Sequence, residues 1–115
     1  MNRYCIVLEL EEKFVKNFKD LHKDPWPEVL KALKENGCDE IIIWSHKNSV
    51  IVFYESEDLD ETYRKLDKNE IFQKWGALEG PWIKEGVSKD KEGKFITLEK
   101  IFDLRQQISG ELTQF

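Results

Sequence analysis

No part of the chain carries the ~20 consecutive apolar residues that a membrane helix needs. The first twenty residues already hold Arg3 and Glu9, so neither a membrane span nor a signal peptide is expected. Cysteine is scarce: the two present, Cys5 and Cys38, stand in segments that read as a strand and a helix end. No CxxC or Cys/His spacing surrounds them, so no metal centre is expected and they read as reduced core thiols of a cytoplasmic protein. A surplus of positive charge is missing too. The 18 Lys and Arg are interleaved with 23 Asp and Glu, for a net charge of −5. That balance argues against nucleic acid as a partner, because neutralising phosphates takes a basic excess. Internal repeats and low-complexity linkers are also absent.

What remains is enough for one folded domain. The chain has 115 residues, 36% of them charged and 40% hydrophobic, which describes a single core under a heavily solvated exterior. Residues 1–104 read as that domain and 105–115 as a polar tail or short helix beyond it.

Residues 3 to 10 alternate, with Tyr4, Ile6, Leu8 and Leu10 facing one way and Arg3, Cys5, Val7 and Glu9 the other, as in a strand. The second face suits either a polar cavity or ordinary solvent. From Glu12 the period becomes helical and places Phe14, Phe18, Leu21 and His22 on one stripe, so His22 belongs to the inward edge. The pattern breaks at Asp24-Pro25-Trp26-Pro27-Glu28. Pro25 ends one helix and Pro27 opens another at its first position, which leaves Trp26 either filling core or standing with His22 at the mouth of a pocket. Trp26, Val29, Leu30 and Leu33 form the second stripe, closed by Asn36-Gly37.

Glu40 to Ser45 and Ser49 to Glu55 read as an antiparallel hairpin turning at His46-Lys47-Asn48, with His46 exposed. Tyr54 and Glu55 fall on opposite faces, so one of them can share a space with His22. Leu59, Tyr63 and Leu66 mark a short helix, and Asn69 caps another carrying Ile71, Phe72 and Trp75. From Gly76 to Lys94 the chain reads as a long irregular loop of the kind that covers sites. Phe95 to Leu104 reads as the last strand.

The order β, α, β, β, α, β gives an α+β fold, a ferredoxin-like four-stranded antiparallel sheet with helices on one face. The other face, rich in Ile, Val and Trp, would need a second subunit, so a homodimer is expected.

Several elements together resemble the L-rhamnose mutarotase family. They are Arg3-Tyr4-Cys5, His22 followed by Trp26-Pro27-Glu28, Gly37 before the second strand, Gln73-Lys74-Trp75, and Glu99-Lys100-Ile101-Phe102-Asp103-Leu104. The pattern is similar, within that family, to relatives assigned to L-fucose. The resemblance covers roughly the first 104 residues, and its most specific part is His-x-x-x-Trp-Pro-Glu. It implies a dimeric α/β barrel and an enzyme that interconverts the α and β anomers of a 6-deoxyhexose with no cofactor or metal. It also implies His22 as the histidine of the site and Trp75 as its sugar-contacting tryptophan. The chain departs from the family at Phe18, where a tyrosine one turn before the histidine is usual.

Mutarotation opens a cyclic hemiacetal and recloses it on the other face, so a base must take the anomeric hydroxyl proton while an acid protonates the ring oxygen. Histidine titrates near neutrality and suits the task. With Phe18 lacking a hydroxyl, the second polar group is sought among Tyr54, Tyr4, Arg3, Glu55 or a bound water, with Tyr54 ranked first. Trp75, Trp26, Arg3 and Phe18 are the positions expected against the sugar, with Trp75 offering a flat apolar surface to its C–H face. Two other readings stand beside this one: a dimeric-barrel monooxygenase or haem-degrading enzyme, which would have a uniformly apolar cavity, and a sugar-binding module without turnover.

Overall fold

The computed structural model describes residues 2–86 and 89–109. Strand β1 (Asn2–Leu10) leads through a 3₁₀ turn (Glu12–Phe14) into α1 (Val15–Lys23) and α2 (Pro27–Glu35). The hairpin β2 (Glu40–His46) and β3 (Ser49–Ser56) follows, then α3 (Leu59–Leu66), α4 (Glu70–Glu79), a second 3₁₀ turn (Gly80–Trp82), β4 (Ile83–Glu85) and α5 (Leu104–Ser109). The sheet order is β2-β3-β1-β4, every neighbouring pair antiparallel, which is the expected ferredoxin-like arrangement.

Period-2 alternation sorts the strands into two faces. Ile6 and Leu10 of β1 and Val50, Val52 and Tyr54 of β3 turn toward the helices and are buried against Phe18, Val29, Leu33, Leu59, Leu66 and Trp75. Each aliphatic side chain so enclosed contributes on the order of 1.5–3 kcal/mol. The opposite face carries Val7, Ile42, Trp44 and Ile51, all exposed.

The break between the first two helices forms as the prolines dictate. Trp26 is extended at φ −65° and ψ 126°, and Pro27 takes the first helical position, where its missing N–H is not needed. At the other end of α2, Gly37 adopts φ +101°, while the Cys38 N–H donates to the Leu33 carbonyl at 2.9 Å and the Gly37 N–H to that of Lys34 at 3.3 Å. A β-carbon on Gly37 would come within 2.9 Å of the Thr62 hydroxyl, so backbone conformation and packing both select glycine there.

Two boundaries differ from the sequence reading. The helix that begins after Asn69 does not stop at Gly76 but runs to Glu79. Asn69 caps it, its Oδ1 accepting from the Phe72 N–H at 3.0 Å, and burial of Trp75 anchors its middle, which together outweigh a glycine cost of about 1 kcal/mol. The fourth strand is the short Ile83–Glu85, not Phe95–Leu104. Ile83 pairs with Leu10, whereas the later segment reaches β1 through the Leu98 N–H to the Cys5 carbonyl at 2.7 Å. Ile96, Leu98, Ile101 and Phe102 are all exposed, so the buried face that a strand requires is absent there. Helix α5 then begins at Leu104, across the expected domain edge, and the rest of the expected tail, residues 110–115, lies outside the described residues.

Candidate functional site

A cavity of about 360 Å³ lies between the sheet and the helices. Most of its wall is hydrocarbon: Leu8, Ile41, Ile43 and Val52 from the strands, and Pro25, Val29, Leu30 and Leu33 from the break and α2. Phe18, Phe72 and Trp75 add aromatic surface, and the polar groups reaching the space are His22, Tyr54, Tyr63 and Glu79. No lysine or arginine is among these residues.

His22 occupies the last turn of α1, and its ring is fixed from three sides. The Phe18 ring lies 4.2 Å away, Trp75 meets it edge-on at 5.4 Å, and Nδ1 sits 2.8 Å from the Phe18 carbonyl oxygen. A carbonyl only accepts, so Nδ1 carries the proton and donates it, which leaves the lone pair of the neutral ring on Nε2. Burial lowers the imidazole pKa below its ordinary 6.5, an effect partly opposed by the bond to Phe18. The ring is therefore neutral near pH 7 and presents a basic nitrogen to the cavity.

Nε2 faces Glu79, whose Oε2 lies 3.7 Å away. That oxygen is buried with no hydrogen-bond partner among the described residues. Burial raises the carboxyl pKa from an ordinary 4.5 to about 7, a shift moderated by the Trp75 indole. The folded state thus holds this proton more tightly than the unfolded chain does. The contribution of this one group to stability is fully present below pH 4.5 and is lost as pH rises through 7, by about 3 kcal/mol if the carboxyl ionises in place.

Sequence reasoning did not single out Glu79, because ending the helix at Gly76 left it in a loop. The usable signal was the i+4 step from Trp75, which puts Glu79 on the same inward stripe.

Of Tyr54 and Glu55, which the alternation put on opposite faces, it is Tyr54 that reaches the cavity, but its hydroxyl is engaged with that of Tyr63 at 2.8 Å. Burial pushes the Tyr54 pKa up to about 12 and that of Tyr63 well above its ordinary value. Both phenols stay protonated at neutral pH and can bind an oxygen without exchanging protons with it. Trp26 is not part of the cavity wall. It stands behind Trp75, edge to face at 5.3 Å, and supports that ring. Beyond β4, Phe95 touches the site from behind, with its ring centroid 5.0 Å from that of Tyr63.

Arg3 is on the far side of the sheet, as its place in the β1 alternation requires. Its Nε is 3.3 Å from Glu55 and its Nη1 3.8 Å from Asp103, at the edge of a separate polar hollow that also includes Lys100 and Gln106. The expectation that Arg3 and His22 share one site is therefore corrected, and Glu55 goes with Arg3. Among the described residues no group of three His, Cys, Asp or Glu could hold a metal ion. No helix is long and apolar enough to cross a membrane there either.

Residues 3–104 match the family described as L-rhamnose mutarotase. A protein of Bacillus subtilis named L-rhamnose mutarotase is 27% identical over 106 residues, covering 90% of this chain and 99% of the relative. One of the same name from Listeria monocytogenes is 27% identical over 105 residues, with the same coverage of both chains. Among solved structures, an L-rhamnose mutarotase of Formosa agariphila superposes with a TM-score of 0.67 at 22% identity, covering 90% of this chain and 98% of that one. Tetracenomycin F2 cyclase of Streptomyces glaucescens does so with a TM-score of 0.60 at 13% identity, covering 90% and 96%. The two structural likenesses speak for the fold alone.

Proposed function

The chain belongs to the L-rhamnose mutarotase family, and from that premise we propose that it interconverts the α and β anomers of a 6-deoxyhexose such as L-rhamnose or L-fucose. The observation that carries this reading is the His22 imidazole. Its Nδ1–H is tied to the Phe18 carbonyl and its Nε2, 3.7 Å from Glu79 Oε2, is left to accept a proton, in a cavity whose other walls are largely hydrocarbon. Ring opening asks for a base of near-neutral pKa at the anomeric hydroxyl, and the wall suits the C–H faces and the C6 methyl that set a deoxy sugar apart. Trp75 supplies the broad apolar surface. A hydroxyl of the Tyr54–Tyr63 pair holds a sugar oxygen, and Phe18 contributes packing where the family has a tyrosine. The step moves protons only, so the proposal includes no cofactor.

Exchange NMR on L-rhamnose, L-fucose and D-glucose tests it. Catalytic amounts of protein should speed anomer exchange of at least one 6-deoxy sugar well beyond that of glucose. Unchanged exchange for all three sinks the reading, and binding without faster exchange points to a module without turnover.

The bare sheet face supports a homodimer. Val7, Ile42, Trp44 and Ile51 lie on one side of three adjacent strands, and a second copy applied face to face would cover them. Sedimentation at micromolar concentration should give twice the 13.7 kDa chain mass, and a clean monomer would remove the dimeric barrel.

A further inference from the structure

We propose that Glu79 is the second proton-transfer group of the site, acting as the acid opposite His22 in the role the sequence reserved for Tyr54. The inference rests on the mutarotase reading and adds a residue to it. Ring opening exchanges protons at O1 and O5, both bonded to C1, so acid and base must converge on one carbon. Nε2 of His22 and Oε2 of Glu79 do converge: they lie 3.7 Å apart, on two different helices that both line the cavity. That separation exceeds a hydrogen bond, so neither atom is saturated by the other. Oε2 is also the buried polar side-chain atom left without a hydrogen-bond partner among the described residues, as befits a group whose partner is a ligand. Tyr54 and Tyr63 are instead bonded to each other.

The proton count closes. Neutral His22 takes the O1 proton at Nε2 while the protonated Glu79 carboxyl gives its proton to O5. The C1–O5 bond breaks with its electron pair going to O5, and C1=O1 forms. The open aldehyde then faces an imidazolium and a carboxylate, whose mutual attraction offsets part of the cost of charging two buried groups. After rotation about C1–C2, O5 attacks the other face of C1, Glu79 takes back the O5 proton and His22 returns its own to O1. No co-reactant is consumed.

The titratable groups facing Glu79 are His22 from α1, Tyr54 from β3 and Tyr63 from α3, while β1, β2 and α2 present only apolar side chains to the cavity. With both phenols protonated, the pH dependence belongs to the His22–Glu79 pair. The rate should be highest where the pair holds one proton, falling at acid pH as it gains a second and above about 7 as it loses the last.

Exchange NMR across pH 5 to 9 on parent protein, Glu79→Gln and Glu79→Asp, using whichever 6-deoxy sugar the parent turns over, tests the assignment. Glu79→Gln keeps the shape but has no carboxyl proton to give. It should lower the exchange rate about 10²-fold and abolish the alkaline fall, with Glu79→Asp recovering part of both. A Glu79→Gln protein with parental rate and profile overturns the role of Glu79 and leaves the mutarotase reading standing. A parent protein inactive on every sugar overturns both. Should Glu79→Gln not fold, the parent profile still decides: a rate that stays flat from pH 7 to 9 overturns the proposal.

Discussion

Replacing Trp75 with alanine is expected to lower the unfolding free energy by about 3 kcal/mol, read as a shift of the urea midpoint at constant slope. The indole is 6% exposed within the main core cluster, and it makes edge-to-face contacts with both Trp26 and His22. Large-to-small changes at such aromatics cost roughly 3–5 kcal/mol, and the lower end applies because one face of the ring already borders an open cavity, so less new void is created. Domains of this size have about 5–15 kcal/mol in hand, so the variant should remain folded but weakened.

The sequence expectation is that Trp75 stacks on sugar rather than only filling core, and the ring is a core member and part of the cavity wall at once. Trp75→Phe separates the two roles: it should recover most of the stability while sugar binding, followed by intrinsic fluorescence, stays weaker than in the parent. An alanine variant with an unmoved midpoint would contradict the packing.

The second large effect is expected at His22. Asparagine there places its side-chain N–H close to the position of Nδ1, so the bond to the Phe18 carbonyl survives while Nε2 is removed. Fold and oligomeric state should persist, and anomer exchange should slow by about 10²- to 10⁴-fold, the range for a lost general base. The parent rate should fall as pH drops. Burial has lowered the imidazole pKa, so that limb should lie below pH 6.5, where a freely solvated histidine would titrate. Unchanged exchange in His22→Asn would remove the mechanism and leave His22 as a packed, hydrogen-bonded residue.

The sequence by itself determined whatever depends on local periodicity and on residues with few conformational choices. Alternation in Tyr4–Leu10 and Val50–Tyr54 set which side chains meet the helices, and so put Tyr54 with His22 and Arg3 apart from them, although the assignment of Arg3 to the site ignored that parity. Pro25 and Pro27 fixed the break after His22, and Gly37 fixed the end of α2, because few residues fit those backbone geometries.

The tertiary structure decided what depends on competition between distant segments. Gly76 is a weak helix breaker, and whether α4 ends there turns on burial of Trp75, which no local pattern measures. The edge of β1 went to Ile83–Glu85 because the 3₁₀ turn after α4 delivers that segment directly beside Leu10. The more strand-like Ile96–Phe102 run found no covered face. Those two outcomes carry Glu79 onto an inward helical face opposite His22, and its pKa of about 7 arises from the apolar walls that five other elements close around it. A carboxyl's environment is a property of its neighbours in space, and for Glu79 those neighbours are brought together only by the fold.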